Sequence, residues 1–193
     1  MERGEEFSNF IPSHLGTQLP DFDGFYRARF PDADDVRPRD RGGFQPLPMA
    51  TALDTIAIKL EIVALCESPI ELDLAAALTK AVRAIDDPTL SLGHQFPLDR
   101  FRYDLAIKRE ERSKPLVLIE CDGKEFHSAE DQIATDRTKD ALAAKAGIHL
   151  WRFSGSEIYR ELDFCVYRIL KAIRLRGQIT ARDWDALELA NIV

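Results

Sequence analysis

Along the chain, the apolar positions change period more than once. From Thr51 to Cys66 they recur at helical spacing and predict a first helix. Ser68-Pro69-Ile70-Glu71 opens a second. Ser is a good N-cap, Pro suits the first helical position, and Glu at the third reaches back to the cap. Ile70, Leu74, Leu78, Val82 and Ile85 form its apolar stripe, and Asp86-Asp87-Pro88 ends it. The period then drops to two. Leu90 to Pro97 reads as a weak strand. Arg100 to Lys108 alternates, with Phe101, Tyr103, Leu105 and Ile107 on one face and Arg102, Asp104, Ala106 and Lys108 on the other. Arg109 to Lys114 is a charged hairpin turn. Leu116 to Asp122 is apolar on both faces until its acids appear, as in a central strand. Helical spacing returns from Ser128 to Ala146, closed by Gly147. A strand from Ile148 to Phe153 follows. Next come a long helix, Ser156 to Arg176, and a short one, Ala181 to Ala190. The order α-β-β-β-α-β-α predicts an α/β or α+β sandwich, a mixed sheet with helices on both sides.

Residues 1–48 stand apart. They hold six of the ten prolines and no helical periodicity, yet carry aromatics such as Phe7, Phe10, Phe22 and Phe25. This segment is expected to be partly flexible or to dock on the core or a partner. Residues 49–176 form the expected core and 177–193 a C-terminal appendage. A chain of 193 residues suits one domain with a sizeable core. Cys66, Cys121 and Cys165 are widely spaced in apolar settings, which predicts reduced, buried thiols and no zinc motif. The four histidines form no metal-ligand pair at helical spacing. No run reaches the length of a membrane span, and the acidic, polar start is unlike a signal peptide, so a cytoplasmic protein is expected.

The chemistry concentrates at the end of the central strand. Glu120, Asp122 and Lys124 follow the apolar run Leu116–Ile119 at every second position, which places them on one strand face. Buried carboxylates cost several kcal/mol unless a charge pairs with them, and a divalent cation is the natural partner. Pairing around the turn at residues 109–114 sets Asp104 level with Glu120 or Asp122. Hydrolysis of a phosphodiester needs hard cations on carboxylate oxygens, a positioned water and positive charge on the developing oxyanion. Asp104, Glu120 and Asp122 supply the oxygens, and Lys124 the positive charge.

An Asp on one strand followed by an acid-x-Lys pair on the next resembles the PD-(D/E)xK nuclease superfamily. CESPIE at a helix start, Gln95 before the hairpin, FRYDLAI, LIECDGKEFH and the stretch QIATDRTKDALAAKAGIHLWRFSGSEIY resemble the very-short-patch-repair (Vsr)-like endonuclease domains, over about Cys66 to Leu170. The resemblance implies a restriction-endonuclease-like αβββαβ core with a mixed four-stranded sheet. It also implies Mg²⁺-dependent cleavage of DNA, with Mn²⁺ as a substitute. By position Asp104 matches the metal-binding Asp and Glu120 the third-strand acid; Asp122 and His127 match a DG..H segment. Asp122 stands where the family's Lys would, and Lys124 follows two residues later. Both Glu120 and Asp122 therefore qualify as the third-strand acid. Glu71, on the face of Ala75, Leu78 and Val82, matches a helix-borne acid near the metal; its alternative role is the capping box with Ser68.

A net charge of −7 counts against nucleic acid as a partner unless basic residues cluster locally. They do so in the hairpin, at Arg100, Arg102, Lys108, Arg109, Arg112 and Lys114, and late in the long helix, at Arg168, Lys171, Arg174 and Arg176. Gln95, Gln132 and Arg152 are further candidates for contacts to DNA; the alternative for Arg152 is to pair with one of the acids. Modest intrinsic affinity is expected, with a homodimer or a partner protein as possible help. A non-catalytic nuclease-like module, or an RNase on the same scaffold, are the competing readings.

Overall fold

The computed structural model describes residues 49–85, 87–123, 130–190 and 192. Helix α1 spans Met49–Ile62 and runs into a 3₁₀ turn, Val63–Leu65. Helix α2 (Pro69–Ile85) starts where the sequence predicts, with Ser68 Oγ accepting from the Glu71 amide at 3.2 Å. The capping box is only half made. The Glu71 carboxylate reaches past Ser68 and accepts from the Glu67 amide at 2.7 Å instead.

Strands β1 (Leu90–Leu98), β2 (Phe101–Arg109), β3 (Val117–Asp122) and β4 (His149–Ser154) form one sheet in the order β1-β2-β3-β4. The first two pairings are antiparallel, and β3 with β4 is parallel across helix α3 (Glu130–Ala146). Gly147, at φ 72°, ends α3. Its amide donates to Ala144 O and that of Ile148 to Ala143 O, the paired bonds of a left-handed helix stop. The last strand residue, Ser154, caps helix α4 (Gly155–Leu175) in a full capping box with Glu157, and α5 (Ala181–Leu189) follows. Helix α3 covers the sheet face that carries Ala106 and Leu118; α2 and α4 pack on each other against the opposite face. This is a mixed four-stranded sheet flanked by helices, consistent with a restriction-endonuclease-like core.

One detail of the predicted alternation fails, and it matters for the site. Ala106 pairs with Leu118 and shares a buried cluster with Tyr103, Ala143 and Ile148. Residues three apart on a regular strand point to opposite faces. Tyr103 nevertheless lies on the α3 side, where its hydroxyl donates to Lys139 O at 3.0 Å, and Phe101 packs there with it. Leu105 and Ile107 lie on the other face. The strand changes face at Asp104. Its neighbour β1 does the same at Gln95, which holds φ 45° between the pairs His94–Leu105 and Phe96–Tyr103. The two breaks lie side by side, so the sheet carries a fault line at the level of Asp104.

A second non-glycine residue with left-handed backbone, Asp99 (φ 55°), begins the two-residue loop between Leu98 and Phe101. A loop of that length with positive φ only at its first position prefers Gly there. Asp99→Gly should therefore raise stability by about 1 kcal/mol, or about 3 °C in Tm. A thermal melt that is unchanged or lower would contradict it.

Candidate functional site

The fault line gathers carboxylates from three elements. Asp104 no longer sits in a regular ladder. The β2–β3 register ends at Leu105–Ile119, and beyond it the Cys121 amide donates to Asp104 Oδ2 at 2.7 Å. The side chain thus takes over a strand hydrogen bond and is fixed at the level of Glu120. Glu120 is 6% exposed and accepts from Lys139 Nζ of α3 at 2.7 Å. Glu71, 2% exposed, accepts from the Glu67 amide and from Gln95 Nε2 at 3.0 Å. Gln95 reaches α2 only because of its left-handed backbone, which turns it to the same side as its neighbour His94.

This crowding perturbs all three acids. Burial raises the Glu71 carboxyl to about 7, aided by the charge of Asp104 and opposed by the Glu67 amide and Gln95. Burial likewise raises Glu120 to about 7; Asp104 adds to the rise and Lys139 opposes it. Asp104 is raised by burial against the pull of the Cys121 amide and Lys139. Between them, Cys121 has its thiol pushed well up by burial and the surrounding carboxylates. Among the described residues, the positive charge of Lys139 and Arg152 does not offset the burial of these acids. A set of carboxylate oxygens in that condition suits a hard divalent cation.

Asp122 sits at the rim. Its carboxylate lies 3.6 Å from Arg152, which also meets Asp136 at 3.2 Å and Asp140 at 3.1 Å. Arg152 is thus committed to three acids rather than offered to a phosphate. Arg109 is also placed differently from the reading as a DNA contact. It lies part-buried, bonding Asp87 at 2.6 Å, Thr89 Oγ1 at 3.1 Å and Gln178 O at 2.7 Å, and it ties the α2 end and the segment after α4 to the sheet. Arg102 is exposed and pairs with Glu67 at 3.0 Å. Arg100 lies over Phe101 and Lys108 over Phe96, at 5.0 and 5.9 Å from the ring centroids. In α4, Arg168, Lys171 and Arg174 lie on the faces of Trp151, Tyr167 and Trp184. Lys124 and His127 lie outside the described residues, as does the Gln132 side chain.

Two features escaped the sequence reading. Lys139 shares a helix face with Gln132 and Asp136, at i+7 and i+3, so the helical spacing that singled those out also reached it. Cys66, Glu71 and His94 converge, with one ligand atom from each lying within 4.8 Å of the others. They come from three separate elements, and no spacing rule links them.

Residues 79–173 match the family model REase_MTES_1575. This segment resembles restriction-endonuclease-like domains. It covers just under half of the chain, from the second half of α2 through most of α4, and supports the PD-(D/E)xK superfamily at that coarse level. It includes Asp104, Glu120, Asp122, Lys139 and Arg152; Cys66 and Glu71 precede it. The match suggests a nuclease, a hydrolase of a kind that uses divalent metals. No curated protein and no solved structure matches the chain. Among the described residues, no helix is long and apolar enough to cross a membrane.

Proposed function

We propose that the protein is a metal-dependent endonuclease that hydrolyses DNA phosphodiester bonds, of the Vsr-like kind that the sequence motifs suggest. The observation that carries this reading is the electrostatic interaction of half-buried Asp104 with buried Glu120 at the fault line, within a restriction-endonuclease-like core. Carboxylate oxygens are the donors that Mg²⁺ or Mn²⁺ takes; among the described residues these acids do not lie within 4.8 Å of one another as a set of three, so binding would draw them together. Asp104 and Glu120 would hold the ion, with Glu71 and Asp122 as further oxygen donors. Such an ion supplies charge neutralisation at the phosphate oxygens in the transition state.

The chain's own residues do the rest. Glu120 is favoured over Asp122 as the third-strand acid. It is the more buried of the two and is held by Lys139 at 2.7 Å, whereas Asp122 lies at the rim, 3.6 Å from Arg152. The Cys121 amide orients Asp104. Lys139 is placed to hold Glu120 and to present positive charge beside the scissile phosphate, a part that the sequence reading assigns to Lys124. Removing one such electrostatic group costs on the order of a hundredfold in rate. Lys139→Met should therefore lower cleavage about a hundredfold, and Lys139→Arg should recover part of it. Equal activity in Lys139→Met and wild type would remove Lys139 from the site.

The experiment for the whole reading is a cleavage panel. Single-stranded, duplex, nicked and mismatched DNA, with RNA alongside, are incubated with Mg²⁺ or Mn²⁺. Cleavage of at least one DNA form, abolished by chelation, is the expected result. No DNA cleavage with either metal would overturn the reading. Cleavage confined to RNA would replace it with a ribonuclease.

A further inference from the structure

We propose that Cys66, Glu71 and His94 form a second cation site, selective for a borderline-soft divalent ion such as Zn²⁺, which adjoins the carboxylate site for Mg²⁺ and shares Glu71 with it. Its parts come from three elements. Cys66 ends the 3₁₀ turn before α2, Glu71 lies in the first turn of α2, and His94 lies in β1. One ligand atom from each lies within 4.8 Å of the other two. Cys66 Sγ and His94 Nδ1 stand 3.8 Å apart. Tetrahedral zinc with its usual bonds to sulfur and imidazole nitrogen sets those two atoms about 3.5 Å apart. Chelation thus needs a shift of only a few tenths of an ångström for this pair.

The surroundings hold the donors in place. Cys66 is fully buried and not in a disulfide, and Glu71 is almost as buried. Each Glu71 oxygen accepts one hydrogen bond, from the Glu67 amide and from Gln95 Nε2. A carboxylate oxygen has two lone pairs, so each keeps one for a metal. The two donors act as the outer support that orients a ligating carboxylate. Gln95 adopts an uncommon left-handed backbone, and that break in β1 lets His94 and Gln95 both face the start of α2. A regular strand would send one of them to the other side of the sheet.

Donor chemistry decides the ion. Thiolate and imidazole favour Zn²⁺ and related transition metals, whereas Mg²⁺ takes oxygen. Three protein ligands leave a fourth position for water or an exogenous ligand. Glu71 is shared between this trio and the carboxylate group at Asp104. A bound ion would therefore lock the start of α2 to β1 beside the proposed catalytic centre.

Co²⁺ is the probe, because thiolate ligation gives it an intense near-ultraviolet band. The full chain, stripped of metal, is titrated with Co²⁺ and then with Zn²⁺ in millimolar Mg²⁺. The expected result is one Co²⁺ per chain with a thiolate band, displaced by Zn²⁺ and not by Mg²⁺. His94→Gln, in a half-exposed position, should weaken Co²⁺ binding by at least about a hundredfold. Cys66→Ser should abolish the band, with folding checked by circular dichroism. Cys121→Ser and Glu120→Gln should retain it. No thiolate band in the wild type, a band unaffected by His94→Gln, or a band lost in Cys121→Ser would each overturn the proposal. The readout involves no DNA, so failure of the nuclease reading leaves it standing, and its own failure leaves the nuclease reading intact.

Discussion

Asp104→Asn and Glu120→Gln should each lower metal-dependent DNA cleavage by at least about a thousandfold, or about 4 kcal/mol of barrier, while making the metal-free protein more stable. The two effects have one cause. Glu120 is buried and Asp104 half-buried, and both carboxyls are raised by burial, with Asp104 adding to the rise at Glu120, so each folded chain carries a charge it would favour losing. The amides are close in shape. An Asn at 104 still presents an oxygen to the Cys121 amide, and a Gln at 120 still fills its space beside Lys139. What disappears is the negative charge a hard cation needs. Opposite changes in Tm and in rate distinguish a functional site from a structural one, since a structural ion pair would lose stability on substitution. The check is a thermal melt beside a cleavage assay with Mg²⁺ and Mn²⁺. Full activity in either variant would remove that residue from the site.

Stability of the metal-free protein should fall as pH rises from about 5 to about 7.5, and a divalent cation should restore it. Glu71 and Glu120 move from 4.5 unfolded to about 7 folded. Between those values the folded chain binds more protons than the unfolded one, so stability declines with pH. The contribution is complete below pH 4.5 and lost above 7; its size is on the order of 3 kcal/mol per carboxylate. Asp104, also raised, acts in the same sense. His94 and His149, lowered by burial, act in the opposite sense up to about pH 6.5. The informative quantity is therefore the difference between wild type and Glu120→Gln. Urea unfolding in chelator at pH 5.5 and 7.5 should give a steeper decline for the wild type. Mg²⁺ or Mn²⁺ at pH 7.5 should raise its stability through binding to the folded state alone. Parallel pH profiles for wild type and variant would show that Glu120 is not a strained buried acid.

Much of this arrangement was legible in the residues. The order of helices and strands follows from the apolar period, because each element must bury one stripe or face whatever its neighbours are. Asp104 could be set level with Glu120 or Asp122 because an antiparallel hairpin ties register to the length of its turn, and the ladder's last pair, Leu105–Ile119, puts it beside Glu120. Glu71 could be aimed at the interior from its spacing to Leu78 and Val82, both buried as expected. Its capping role was only half right, since the carboxylate passes Ser68 to reach Glu67.

The rest depends on distances that no local pattern encodes. Alternation predicts Tyr103 beside Leu105, but the break at Asp104 sends it to α3, where its hydroxyl finds Lys139 O. Arg109 reads as a basic residue available to DNA, and the fold instead surrounds it with internal partners; Arg152 reads as reaching a phosphate or pairing with an acid, and the fold gives it acids.

The sequence by itself determined which elements form, their order, and the strand end at which acids concentrate. Periodicity and turn chemistry are local properties and survive without tertiary contacts. Only the tertiary structure decided that the sheet breaks at Gln95 and Asp104, that Lys139 meets Glu120, and that Cys66 and His94, 28 residues apart, converge on Glu71. Those outcomes turn on the packing of α2 and α3 against opposite faces of the sheet, and packing is a property of the assembled chain.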